Sequence, residues 1–220
     1  MKCQAVQGAS GRCCILAARR PPMATSELDL SRAVVFDLES GLVRLRGAPL
    51  QVLLPAQALA ELCRSAGPEA RRGLGRAMGG PVGRRVAARL AGESQDAHAA
   101  VGEATQHEVV AGLAAELAIC GLGVLGAEQW GRALVLVHDR SPLGAAGDEL
   151  LGEMLRAALE EMAGTALGVV LLERDGARAR FLVASTEAAP AVRERLGAGE
   201  SWGAVLAELH RRPAHSEAQA

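Results

Sequence analysis

The chain has 220 residues, half of them apolar and 22% charged, with a formal net charge of −1 at pH 7. That composition buries a sizeable core, is not that of a disordered segment, and gives no general attraction to nucleic acid or anionic lipid. The longest charge-free stretch, Gly47 to Ala60, is too short to cross a bilayer, so a soluble, cytoplasmic protein is expected.

The missing residue types narrow the chemistry further. There is no Tyr or Asn, two each of Phe and Trp, and Arg outnumbers Lys 23 to 1, with Lys2 the lone lysine. A phosphate-binding P-loop and Schiff-base chemistry both need a lysine in the body of the chain, and base-stacking platforms need more aromatic residues. Cys3, Cys13 and Cys14 crowd the N-terminus, leaving Cys63 and Cys120, which is no disulfide framework. Residues 1–22 lack the apolar core of a secretory signal and read as a mis-called or disordered extension, with Met23 as the expected start.

In chain order, Ala33 to Leu38 and Leu42 to Arg46 read as two short strands around Ser40-Gly41, and Leu50 to Leu54 as a third apolar run. Pro55 suits the first turn of a helix that carries Leu59, Leu62, Cys63 and Ala66 and stops at Gly67. Pro68 opens a helical stretch to about Leu90, in which Gly79-Gly80-Pro81 should break or kink the helix. So many glycines are tolerated only if a neighbour's backbone approaches closely. Residues 92 to 102 read as a polar linker, and Thr105 to Ile119 as a helix with Val109, Val110, Leu113 and Leu117 on its core face.

A hairpin is expected from Gly121 to Ala127 and Ala133 to His138, turning at Glu128 to Gly131. A helix from about Ala146 to Met162 follows, with Leu150, Leu151, Met154, Leu155, Ala158, Leu159 and Met162 at helical spacing. A second hairpin joins Leu167–Leu172 to Arg178–Val183 around Asp175-Gly176. Helices over 187–196 and 201–210 close the chain, the last with Trp202, Val205, Leu206 and Leu209 on one stripe. The expected fold is α+β: an antiparallel sheet of two hairpins with flanking helices, preceded by a small N-terminal β-hairpin and helices. The expected units are 23–102 and 103–212, with 213–220 a disordered tail.

The motifs carry little catalytic chemistry. Gly121-Leu122-Gly123-Val124-Leu125-Gly126 spells G-x-G-x-x-G, but a helix precedes it and a strand follows, the reverse of a dinucleotide site. His138, Asp139 and Ser141 are sequence neighbours that alternate across a strand, so they do not converge as a triad. Glu103 and His107, with His98 and Glu108 nearby, fall short of a zinc ligand set. Arg71, Arg72, Arg76, Arg84, Arg85 and Arg89 lie in a stretch whose only acid is Glu69; it reads as a solvated face or a surface for an acidic partner. Cys63 and Cys120 sit on helix stripes or ends and read as buried, unreactive thiols.

Several of these segments resemble a known family. Gly41-Leu42-Val43-Arg44-Leu45-Arg46-Gly47, Val52 to Pro55, and Gly67-Pro68-Glu69-Ala70-Arg71-Arg72 with Met78-Gly79 and Gly83 resemble the segment preceding vinyl-4-reductase domains in bacterial aromatic-sensing activators. Ala118 to Gly123, Asp139-Arg140-Ser141-Pro142, Met162 to Glu173 and Arg180-Phe181-Leu182-Val183 are similar to the domain itself. The resemblance spans about residues 33 to 184. It implies a fold shared with TRAPP transport-particle subunits, an apolar pocket for small hydrophobic or aromatic ligands, a protein partner and a homodimer. Some members hold zinc with cysteines and a glutamate; Glu173 matches the glutamate, but Leu150 or Leu151, Gly176 and Arg178 or Arg180 stand at the cysteine positions, so no zinc is expected. The relatives carry an aromatic residue where this chain has His138.

Together these readings give a non-catalytic sensing module without cofactor that acts through a partner protein. Its candidate ligand-binding residues are Cys63, Cys120, Trp130, His138 and Phe181, in a pocket between helices 56–66, 105–119 and 147–162 and strands 133–138 and 178–183. Met154 and Met162 are adaptable liners for such a pocket. The alternative is a dimeric scaffold with a collapsed pocket and an Arg-rich partner face (Arg71, Arg72, Arg76, Arg84, Arg85 and Arg89).

Overall fold

The computed structural model describes residues 34–39, 41–45, 48–51, 54–92 and 96–211. The expected extension over 1–22, the start at Met23 and the tail over 213–220 lie outside the described residues.

A small antiparallel sheet comes first, in the order β1 (Val34–Asp37), β2 (Leu42–Leu45), β3 (Ala48–Gln51). The third strand begins earlier than its apolar run suggested. It contains Pro49, which has no amide to donate and is tolerated because β3 is an edge strand. Helices α1 (Ala56–Ser65), α2 (Pro68–Ala91), α3 (Ala97–Glu103) and α4 (Gln106–Ile119) follow. The second sheet, ordered β4-β5-β7-β6, is antiparallel throughout and built from β4 (Val124–Trp130), β5 (Ala133–Asp139), β6 (Gly168–Asp175) and β7 (Arg178–Ala184). A single 3-10 turn at Gly144–Gly147 leads into α5 (Asp148–Ala163), and α6 (Ala188–Gly197) and α7 (Trp202–Arg211) end the described chain.

Alternation along the strands assigns the two faces of the four-stranded sheet. Leu125, Leu136, Ala179, Phe181 and Val169 pack toward α2, α4 and α5 in the main core. Val135, Val170, Leu172 and Leu182 pack on the other face against Ala189 and Val192 of α6 and Val205 and Leu206 of α7. The main core draws on residues from Ala60 to Phe181, so the segment before residue 103 and the one after it share one interior.

Three expectations need correcting. The polar linker over 92–102 contains α3, capped by Asp96, whose carboxylate accepts the Ala99 amide; Ala97 and Val101, one turn apart, pack on the main core. The first hairpin pairs as far as Trp130 and Ala133 and turns at Gly131-Arg132, where Gly131 takes the positive φ a two-residue turn needs; the Trp130 ring packs edge-on against Trp202 with centroids 4.9 Å apart. Finally, α2 does not break at Gly79-Gly80-Pro81; it continues through Pro81 to Ala91.

The continuity of α2 follows from its packing. Gly75, Gly79 and Gly83 recur every four residues on the face that meets α5. A Cβ on Gly75 would stand 2.6 Å from the Leu150 carbonyl oxygen, and one on Gly79 or Gly83 closer still to those of Met154 and Ala158. The matched increments show that α2 and α5 run side by side in the same direction. The expected close backbone approach is therefore present, and its partner is α5.

This contact makes a sharp stability prediction. Gly79→Ala forces its methyl into the Met154 carbonyl and should cost about 1–3 kcal/mol of unfolding free energy, an overpacking penalty. Gly73→Ala meets nothing within 4 Å and should instead raise stability by roughly 0.5–1 kcal/mol through helix propensity. Urea denaturation of the two variants, expected to shift in opposite directions, tests the assignment.

Candidate functional site

An apolar cavity of about 350 Å³ lies where the small sheet meets the helices. Its walls are Val34, Val43 and Leu45 from β1 and β2, Leu54, Leu59 and Leu62 around α1, Leu74 and Met78 from α2, and Ile119, Cys120 and Leu122 at the end of α4. Leu54 and Leu62 are more than half exposed and mark its mouth, whereas Leu45 and Leu122 are buried. The local sequence explains the geometry. Leu74 and Met78 are one helical turn apart on α2, and Val43 and Leu45 are alternate residues of β2. At its far end α4 stops in a tight turn, with the Leu122 amide donating to the Leu117 carbonyl and Gly121 and Gly123 at positive φ. The G-x-G-x-x-G string is thus a helix-to-strand turn, as its order in the sequence required.

Of the five residues proposed for ligand contact, Cys120 is part of this wall. It caps α4 and is exposed, which corrects the expectation of burial; partial desolvation still raises its thiol pKa, so it stays neutral near pH 7. Cys63 is buried in α1, and burial pushes its thiol up as well. Phe181 lies in the main core, its ring 3.3 Å from where a Cβ on Gly152 would be. Trp130 sits on the opposite face of the sheet with Trp202, its indole N–H donating to Glu128 at 3.0 Å, and the Arg180 guanidinium lies 5.7 Å from the Trp202 ring. Beneath strands β5 and β7, Leu113, Leu117, Leu136, Leu150 and Phe181 are fully buried with Met154 and Met162, and Phe181 also borders a charge-lined cleft of about 660 Å³ shared with Glu149, Glu153, Val169 and Arg193.

His138 is also fully buried on that side. Its Nε2 lies 2.7 Å from the Leu122 carbonyl, which can only accept, so Nε2 carries the proton and Nδ1 is left without a protein partner. Desolvation holds the imidazole pKa below its ordinary value, opposed by the bond to Leu122. Asp139 turns outward to a bidentate pair with Arg178, and Ser141 accepts the Leu143 amide, so no triad forms.

The arginine stretch is committed inside the chain. Arg71 and Arg72 each reach Glu149 at 2.7 Å, Arg76 reaches Glu153 at 3.0 Å, and Arg84 reaches Glu161 at 3.2 Å. These acids lie on α5, in step with the glycine contact. Arg85 donates to Glu116 at 2.7 Å, and Arg89 donates to the Gly112 carbonyl at 3.1 Å and lies 3.9 Å from Glu116. Glu116 is a fully buried carboxylate on the α4 stripe that sequence reading missed. Its signal was available, since 113, 116 and 117 share one helical face. Arg72, Arg76 and Arg84 thus lie on an exposed rim, as a solvated face requires, while Arg71, Arg85 and Arg89 are half-buried along a helix–helix seam.

Among the described residues no group of three or more His, Cys, Asp or Glu can hold a metal ion. Glu173, which the sequence resemblance aligns with a zinc-binding glutamate, is bonded to Arg180. Glu108 forms the capping box of α4 with Thr105, and His98 Nδ1 lies 3.0 Å from the Met162 carbonyl. Among the described residues no helix is long and apolar enough to cross a membrane.

No protein-family model matches the sequence, and comparison with curated proteins finds no match. Among solved structures, the chain is similar to the phenol-responsive sensory domain of the transcription activator PoxR, crystallised with phenol. The TM-score is 0.53 at 17% identity, over 72% of this chain and 87% of that one, a likeness that establishes a shared fold.

The His138 environment predicts a pH dependence. The unfolded imidazole protonates near its ordinary value of about 6.5, whereas the folded one resists protonation. The full contribution is therefore present above that value and is lost as pH falls from there toward the depressed folded pKa. Unfolding free energy should decline between pH 7 and pH 5, and His138→Leu should flatten that decline. An unchanged slope in the variant would show that another group titrates.

Proposed function

We propose that this protein is a non-catalytic sensing module that takes a small apolar or aromatic molecule into the cavity between its N-terminal sheet and helices α1, α2 and α4, and passes the signal to a partner protein. The observation that carries this reading is the cavity itself, about 350 Å³, whose described side-chain wall is aliphatic and sulfur-bearing. The fold shared with a phenol-responsive sensory domain supports it, as does the resemblance of residues 33 to 184 to vinyl-4-reductase domains and their TRAPP-like fold.

The placement suggests how binding becomes a signal. The strands of the small sheet make their close backbone contacts with one another, and the sheet meets the body across the cavity. A ligand there adds apolar contacts between Val34, Val43 and Leu45 on one side and Leu74 and Met78 on the other, and so fixes the sheet on the helices. Binding and ordering are the same event.

The scaffold reading is favoured by one observation, the dense apolar cluster of Leu113, Leu117, Leu136, Leu150 and Phe181 between the helices and the four-stranded sheet. One experiment separates the two. Benzene, toluene, phenol and 4-methylphenol are titrated into the full chain, with thermal unfolding and amide exchange as readouts. A binder at ten times its Kd should add about 1.4 kcal/mol of stability and slow exchange in β1 and β2. Leu62→Trp at the half-exposed mouth should abolish both effects while leaving the unliganded melting temperature nearly unchanged. No stabilisation by any of the four would sink the sensing reading in favour of the scaffold.

A further inference from the structure

We infer that the cavity selects neutral hydrocarbons, of the size of an alkylbenzene or two fused rings, against their hydroxylated counterparts; this rests on the ligand-binding reading above and sharpens it. The wall holds valine, leucine, isoleucine, one methionine and one cysteine. Among the described side chains that line it, the Cys120 thiol and the Met78 thioether are the groups that can hydrogen-bond, and both do so weakly. Three polar side chains bonded beside described wall residues are turned elsewhere. Arg71 is held by Glu149 and by the carbonyls of Cys63 and Ala66, Arg85 by Glu116, and His138 by the Leu122 carbonyl.

Three backbone amides at the end of α4 are likewise taken. The amides of Cys120, Gly121 and Leu122 are bonded to carbonyls of α4 itself, and the Leu122 carbonyl is taken by His138. The negative pole of the helix faces this corner, which disfavours a carboxylate or phenolate. A hydroxyl entering the cavity gives up its water and meets only weakly polar side chains among the described lining residues, and a buried polar group without a strong partner is penalised. A ring gains instead from the Met78 and Cys120 sulfurs, which make favourable contacts with aromatic edges. Size agrees: an aliphatic cavity of about 150 Å³ takes up benzene, and this one is roughly twice that volume.

The test is equilibrium binding to the full chain of two near-isosteric pairs, toluene with phenol and 4-xylene with 4-methylphenol, with benzoate as the anionic probe. Toluene and 4-xylene should each bind at least ten-fold more tightly than their hydroxylated partners, and benzoate should not bind. Cys120→Ser, which places a hydroxyl on the wall, should raise phenol affinity relative to toluene several-fold; Met78→Gln should do the same if the serine is turned out of the cavity. Phenol binding as tightly as toluene would overturn the selectivity while leaving the sensing reading intact. A ratio unchanged in both variants would show that the wall does not set it. Failure of every probe to bind removes the site altogether.

Discussion

The close approach of α2 to α5 is the constraint on which the other features depend. Three glycines at four-residue spacing let the backbone of one helix rest against the carbonyls of the other, where any side chain would hold them apart. That contact explains why α2 is continuous through a Gly-Gly-Pro sequence that costs helix stability in isolation: the packing gained along the whole helix outweighs the local loss. It also seats α2 deeply enough for α4 to pack beside it, where Gly112 makes room for Val86.

The charged residues follow the same register. Arg72, Arg76 and Arg84 match Glu149, Glu153 and Glu161 on the neighbouring helix, so the ion pairs flank the glycine seam. Exposed pairs of this kind are worth about 0–1 kcal/mol each, too little to hold the helices together but enough to disfavour a slipped register. The Glu116–Arg85 pair is different, since a buried carboxylate is costly to leave unpaired. It ties α4 to α2 next to the turn that forms one wall of the cavity. The arginine-rich composition thus serves planar, multidentate pairing between helices.

The cleft of about 660 Å³ between α5 and the β6–β7 edge is bordered by Glu149, Glu153 and Arg193, and the apolar cavity lies elsewhere. Leu113, Leu117, Leu136 and Phe181 fill the space between the helices and the four-stranded sheet, and the apolar cavity is displaced to the junction with the N-terminal strands. There a short sheet meets the helical body across the cavity, an arrangement in which a small ligand can change how two parts are held. His138 links the two regions, since its bond to Leu122 joins the cavity wall to strand β5.

The local elements were legible in the sequence because they are written in local periodicity. The stripe from Leu150 to Met162 specified α5 and its buried face, the alternation after Leu167 specified a hairpin, and the helix before and strand after Gly121–Gly126 ruled out a dinucleotide loop. The sequence by itself determined the α+β class, the antiparallel hairpins, and the need for a close neighbour along α2. Only the tertiary structure decided that α5 is that neighbour, that the arginines answer acids 77 positions away, that Glu116 is buried, and that the cavity lies under the N-terminal sheet. Periodicity reports which face of an element is buried, whereas pairing across long sequence separation depends on how the faces meet in space, and no window along the chain contains both partners.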